Sequence, residues 1–334
     1  MIPVSAVSVL FKKCAYQSSR ICIQLNRYSS QNATADKKKL ETLFMNRDVR
    51  KILYRITGQN YEKIFAPSQT TIKPKVYKFV TDEQLKELKA DAERKAHTKL
   101  QMPPVMDIRE PINEVLSKDP ELQGYLRYKT IFTDLSTSVS NRDRIITVRE
   151  IDGTLRKATW EERERMNQIF FPIPGRHLEV PKLFESPQFD NLLEESSYEY
   201  ILDCACLQFE PDSPDYHKIT NQTYEHIKQT KKFDDLRSTR HFGPMAFYFA
   251  IKKDIDSLLL DMMSRQLIND ASDTIKLLYI IHPELHILKD NEANEIEILQ
   301  DYIKNHSSQK DELELALQTL MEHQKPDLQQ EATA

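Results

Sequence analysis

The chain has 334 residues, with 47 Lys and Arg against 51 Asp and Glu and a formal net charge of −4. That length can bury a sizeable core. Its five glycines, Gly58, Gly124, Gly153, Gly175 and Gly243, lie too far apart for a G-x-G-x-x-G turn, a Walker A loop or a G-x-S-x-G elbow, and so few glycines favour helices and short turns.

Residues 1–35 hold Lys12, Lys13, Arg20 and Arg27 and no acid. This is the composition of a mitochondrial transit peptide, expected to be cut near 28–35; the alternative is a basic arm on a cytosolic protein. Without it, 43 basic residues face 51 acidic ones, a net of −8. A chain this acidic is not drawn to nucleic acid by its overall field, so RNA contact needs local patches. No later run approaches the 18 apolar residues of a membrane span, and no membrane partner is expected.

The first helix is predicted over 37–53, with Met45, Val49, Ile52 and Ile56 on one face and Gly58 as its stop. Pro67 and Pro74 then stiffen an extended segment carrying Lys73, Lys75 and Lys78 beside Tyr77. Thr81 and Gln84 form a capping box for a helix with Leu85, Leu88, Ala92, Ala96 and Leu100 in a stripe. Met102-Pro103-Pro104 ends it, and 107–122 is expected to be irregular, with a short helix after Pro111.

The densest information lies in 128–171. Three strand-like segments, 129–135, 144–151 and 154–159, precede a charged helix. Asp152-Gly153 predicts a two-residue type I′ hairpin turn. Thr159 with Glu162 makes a second capping box, and Trp160, the only tryptophan, is expected to anchor the helix to the sheet. Gly153, Thr159 and Trp160 are therefore the structural residues here. Arg142, Arg144, Arg149, Arg156 and Lys157, with Arg163 and Arg165 on the helix, are expected to face outward as phosphate or partner contacts. The competing reading is a solvated face paired with Asp143, Glu150, Glu161, Glu162 and Glu164.

Pro172, Pro174, Pro181 and Pro187 mark a connector over 172–190 that separates a first unit, 36–171, from a helical domain, 191–323; a disordered tail, 324–334, is expected to close the chain. In the second unit a helix is predicted over 191–209 with Leu193, Tyr200, Cys204 and Leu207. The next starts at Ser213-Pro214 with Tyr216, Ile219, Thr223 and Ile227, and another follows Gly243-Pro244. The apolar run 256–281 is expected to split at Ser272 or Asp273, and 294–306 with 309–323 form a final pair. Arg237 and Arg240, with Lys231 and Lys232, form a second basic patch diluted by Asp234 and Asp235. Phe242, Phe247, Tyr248 and Phe249 are expected in the core. Cys204 and Cys206 lack further ligands at metal spacing, so neither metal nor cofactor is expected, and no catalytic constellation emerges.

The runs KLQMPPVMDIREPINEVL (99–116), GTLRKATWEERERM (153–166), QFEPDSPDY (208–216) and DLRSTRHFGPMAFYF (235–249) resemble, in order, the S-twenty-two family of mitochondrial small-subunit ribosomal proteins. The resemblance implies a non-catalytic component of the mitochondrial ribosome in the matrix, contacting other small-subunit proteins and small-subunit rRNA and handling no small-molecule substrate. A soluble mitochondrial adaptor or assembly factor that binds the small subunit transiently is the alternative. The expected fold is α+β and predominantly helical: a central β-hairpin region followed by an irregular C-terminal helical bundle.

Overall fold

The computed structural model describes residues 39–66, 77, 79–125, 127–285 and 294–331. The presumed leader and Lys73, Lys75 and Lys78 lie outside the described residues. The fold is α+β and mostly helical, as the patterning implies.

The first expected helix is two, α1 (Lys39–Phe44) and α2 (Arg47–Thr57). Asn46 divides them: its side chain accepts from Asp48 N at 3.0 Å and restarts the helix as an N-cap. Met45 falls in the break and is exposed, whereas Val49, Ile52 and Ile56 are buried as expected. Gly58, at φ +75°, ends α2. A short α3 (Tyr61–Ile64) precedes α4 (Asp82–Lys99), which opens on the expected Thr81–Gln84 capping box. Only Ala96 and Leu100 of its apolar stripe are buried; Leu85 and Leu88 face out.

A four-stranded antiparallel sheet follows, in the order β1-β4-β3-β2. Its strands are β1 (Val115–Lys118), β2 (Thr130–Thr133), β3 (Ile146–Arg149) and β4 (Thr154–Lys157). β1 lies where a short helix was expected. It pairs with β4 through Val115↔Arg156 and Lys118↔Thr154, satisfying an edge that the hairpin alone leaves open. On the covered face Ile131, Ile146 and Val148 pack with Ala158 and with Met166 of α5 (Trp160–Phe170).

The hairpin turn differs from the two-residue form. Glu150 N donates to Thr154 O (2.9 Å) and Gly153 N to Glu150 O (3.1 Å), so the loop is Ile151-Asp152-Gly153. Gly153 alone is left-handed, at φ +85°. This is a turn followed by a left-handed glycine, the usual three-residue hairpin. Asp152 instead accepts from Thr154 N and Oγ1, each at 3.0 Å.

The helical body comprises α6 (Gln188–Glu194), α7 (Tyr198–Gln208), α8 (Pro214–Thr230), α9 (Phe242–Ile251), α10 (Asp256–Ser264), α11 (Ile268–Ile281), α12 (Glu295–Asn305) and α13 (Lys310–Glu331). Its core holds Phe242, Phe247 and Phe249, as expected, and also Val49, Leu53 and Ile56 of α2. That N-terminal helix thus packs into the body, against α9 and α11. The segment 191–209 is broken at Ser196, which is left-handed (φ +59°). The break rotates α7 so that Tyr198, Ile201, Leu202 and Ala205 are buried, while Tyr200 and Leu207 face out. The apolar run 256–281 splits at Gln266 (φ +62°), and Ser272 and Asp273 sit inside α11. No described helix is long and apolar enough to cross a membrane.

Candidate interaction surface

The hairpin and α5 form one unit whose charges are committed largely to each other. Glu162, the N3 residue of the capping box, collects most of them. Its Oε2 accepts from Thr159 N (3.0 Å) and Arg156 Nη1 (2.8 Å), and its Oε1 from Arg156 Nη2 (3.0 Å) and Lys129 Nζ (2.8 Å). Arg156 also reaches Glu150 Oε1 at 2.6 Å, so it joins β4 to both the hairpin and the helix. Its hydrogen bonds hold the Glu162 carboxyl far below the usual carboxylate range, against the opposing effect of burial.

Arg144 departs furthest from expectation. It is 2% exposed. Its guanidinium donates to Asp134 O (2.7 Å), Ser136 O (2.8 Å), Val139 O (3.0 Å) and Asn141 Oδ1 (3.4 Å), and lies 3.7 Å from the Phe171 ring centre. It therefore does not face outward. Five donors in a planar fork suit a loop that wraps around them.

Arg149, Lys157, Arg142, Arg237 and Arg240 are also paired. Arg149 binds Asp119 and donates to Gly153 O at 3.0 Å, tying the hairpin turn to the turn after β1. Lys157 pairs with Glu114 (2.6 Å) and Arg142 with Asp212 (3.1 Å), the latter on the loop before α8. In the body, Arg237 pairs with Asp270 (2.9 Å) over the Phe242 ring, and Arg240 with Asp203 (2.5 Å), whose Oδ1 also meets His241 Nε2 at 2.7 Å. The structure thus gathers Arg142, Arg144, Arg149, Arg156 and Lys157 into one unit and places Arg237 and Arg240 elsewhere.

Trp160 does not fill the sheet–helix gap, which Met166 and Ala158 occupy. It is partly exposed, and its Nε1 donates to Glu110 O at 2.7 Å. The guanidiniums of Arg109 and Arg163 lie 4.7 Å and 5.5 Å from its ring centre. Trp160 thus clips the segment before β1 to α5. The sequence carried no signal for this role, since Glu110 lies 50 residues away. Apolar side chains also stand out from the unit: Tyr125 and Tyr128 are 83% and 80% exposed, and Phe132 on edge strand β2 is half exposed. Cys204 and Cys206 are free thiols, and among the described residues no cluster of three or more metal-ligating side chains occurs.

This unit lies inside the stretch recognised by a protein-family model. The model described as mitochondrial 28S ribosomal protein S22 matches residues 42–283. The chain belongs to that family. It is 41% identical over 296 residues to small ribosomal subunit protein mS22 of Bos taurus, covering 88% of this chain and 82% of the relative. It is 40% identical over 297 residues to the Mus musculus protein of the same name, covering 88% and 83%. As a member of the family the chain is a mitochondrial protein and a structural component of the ribosomal small subunit, not an enzyme. The family match runs from within α1 to just past the end of α11, so it takes in the hairpin unit and the body as far as α11.

Proposed function

We propose that the chain supports mitochondrial translation chiefly by holding neighbouring small-subunit proteins together, and that it touches small-subunit rRNA only locally. The inward commitment of the hairpin arginines carries this reading. A guanidinium locked in a bidentate carboxylate pair must break that pair before it can serve a phosphate. Between 105 and 171 eleven basic residues face twelve acidic ones, so the unit has no net field to attract RNA. Its exposed aromatics suit protein contact, where Tyr and Phe are enriched. Burying two partner surfaces at once fixes their relative placement without any new chemistry. The rRNA contacts fall to the more accessible cations, Lys157 and Arg142, and to Lys73, Lys75 and Lys78.

Sedimentation of mitochondrial small subunits through low- and high-salt gradients tests this. The chain is expected to stay with the particle at high salt. Reversing Lys73, Lys75, Lys78 and Lys157 to Glu is expected to lower incorporation only modestly. Release of the chain at high salt would instead identify a transient factor held by screened charges.

A further inference from the structure

Where the hairpin unit meets the helical body, a cavity of about 190 Å³ is lined by Arg109, Arg142, Arg163, Arg176, Trp160 and Phe171, together with three carboxylates. The carboxylates are all taken. Arg109 meets Glu164 at 2.5 Å and Asp212 at 3.7 Å, Arg142 meets Asp212 at 3.1 Å, and Arg176 meets Glu210 at 2.7 Å. Of the four guanidiniums that line the cavity, Arg163 is the one that contacts none of the three lining carboxylates; the acid that acts on it from outside the lining is Asp143. Arg163 is 8% exposed and has no ion pair among the described residues. The only hydrogen bonds of its guanidinium there run from Nη2, to Arg142 O (2.9 Å) and Arg144 O (2.8 Å).

Burying a cation without a carboxylate in contact is costly, and an anion entering the cavity relieves that cost. Glu164 Oε1 faces Arg109 as an ion pair without a hydrogen bond of good geometry, and two further atoms on the cavity wall lack partners among the described residues. Arg109 Nε is a buried donor without an acceptor, on a side chain itself about nine-tenths buried, and Asn167 Oδ1 is a buried acceptor without a donor. Phosphate oxygens accept from Arg163 and Arg109, and free phosphate or a monoester, which keeps a P–OH near neutral pH, also donates to Asn167; a backbone phosphodiester answers the two donors alone. The planar fork of arginine matches phosphate geometry. Trp160 and Phe171 give the walls an apolar backing that strengthens such contacts by excluding water.

We propose that this cavity is a phosphate-binding site, with Arg163 supplying a guanidinium outside any ion pair, Arg109 a second donor, and Arg142 standing at its mouth. The phosphate comes either from a small molecule, as free phosphate or a nucleotide, or from an RNA backbone. The inference does not rest on the scaffold reading above, because it concerns the isolated chain.

Purified full-length protein is titrated with inorganic phosphate, following melting temperature and heat of binding, against sodium chloride at matched ionic strength. A saturable rise with phosphate and none with chloride is expected. Arg142→Gln, tested after its unliganded melt shows it is folded, is expected to weaken binding about tenfold, the effect of one charge-assisted hydrogen bond. Arg165→Gln, on the exposed side of α5, is expected to leave binding unchanged. Adenosine monophosphate and a five-nucleotide RNA without terminal phosphates then separate the sources. Competition by the nucleotide alone assigns a small phosphate, and competition by the RNA assigns a backbone. Equal responses to phosphate and chloride in the wild-type chain would overturn the proposal. So would acetate binding as tightly as phosphate, which would give the cavity to a partner's carboxylate.

Discussion

Arg144 gives the sharpest test of how this fold uses charge. Its guanidinium organises the loop between β2 and β3 by donating to three backbone carbonyls and the Asn141 side chain. Arg144→Met keeps most of the apolar length and removes every donor. Each of these part-buried carbonyls left unpaired costs up to roughly 1–3 kcal/mol, and hydrogen bonds to a charged group sit at the upper end of net contributions. Water entering the loosened loop recovers part of this, so the expected loss is about 3–5 kcal/mol, comparable to breaking a buried ion pair. The loss should be local, because the helical body has its own core. Hydrogen exchange on the full chain is therefore the right assay. Amides over 130–150 should lose protection by that amount, while amides of α9 and α11 should keep theirs. Arg144→Lys should recover only part, since an ammonium cannot reproduce the planar fork. Unchanged protection over 130–150 in Arg144→Met, within about 0.5 kcal/mol, would refute the reasoning and return Arg144 to the surface residues, where substitutions typically cost that little.

Gly153→Ala should destabilise the hairpin by about 1–3 kcal/mol. A Cβ there would lie 2.1 Å from Asp119 O on a residue at φ +85°, and exchange of the β1 and β4 amides would report the loss. Trp160→Phe should cost about 1 kcal/mol, the net worth of the hydrogen bond to Glu110 O. Trp160→Ala should cost more, yet stay below the ~3–5 kcal/mol typical of a fully buried aromatic, because the ring is partly exposed; thermal denaturation of both variants checks the order. Asp256 accepts from Tyr302 Oη (2.7 Å), Ser308 N (2.8 Å) and Gln309 N (3.2 Å), joining α10 to the turn between α12 and α13. Burial raises its pKa, but these hydrogen bonds outweigh that effect and the net shift is downward. Its stabilisation is therefore fully present above the unfolded pKa of about 3.9 and is lost as pH falls through the lower folded value. The stability gap between wild type and Asp256→Asn should be constant at neutral pH and shrink below about pH 4; a gap independent of pH down to 2.5 would contradict this.

Much of the fold was legible because its signals are local. Both capping boxes, at Thr81–Gln84 and Thr159–Glu162, join residues three apart, and both are present. The α8 stripe of Tyr216, Ile219, Thr223 and Ile227 is buried as its spacing implies. What the sequence hid depends on single left-handed residues or distant partners. Ser196 and Gln266 are neither glycine nor asparagine, so nothing in their identity announces the positive φ that breaks 191–209 and 256–281. β1 exists because β4 needs a partner about 40 residues away. The interaction surface was the least legible part. Arg142, Arg144, Arg149 and Arg156 look alike along the chain, and only the fold separates a guanidinium wrapped by carbonyls from one at a cavity mouth.

That separation bears on how a net-acidic chain can work inside a ribonucleoprotein. An arginine on a rigid hairpin is a good phosphate ligand only if it arrives unpaired. Here Arg156 arrives with Glu150 and Glu162 already bound, and Arg149 with Asp119. RNA would have to replace those carboxylates, and the Coulomb gain of the new contact would largely cancel the loss of the old one. The pairs instead make the unit rigid and nearly neutral. Such a surface discriminates among partners by shape and apolar fit rather than by net charge, as Tyr125, Tyr128 and Phe132 standing out from the same unit would require. The phosphate recognition proposed above then falls to a place where the pairing is incomplete, the cavity around Arg163 of α5.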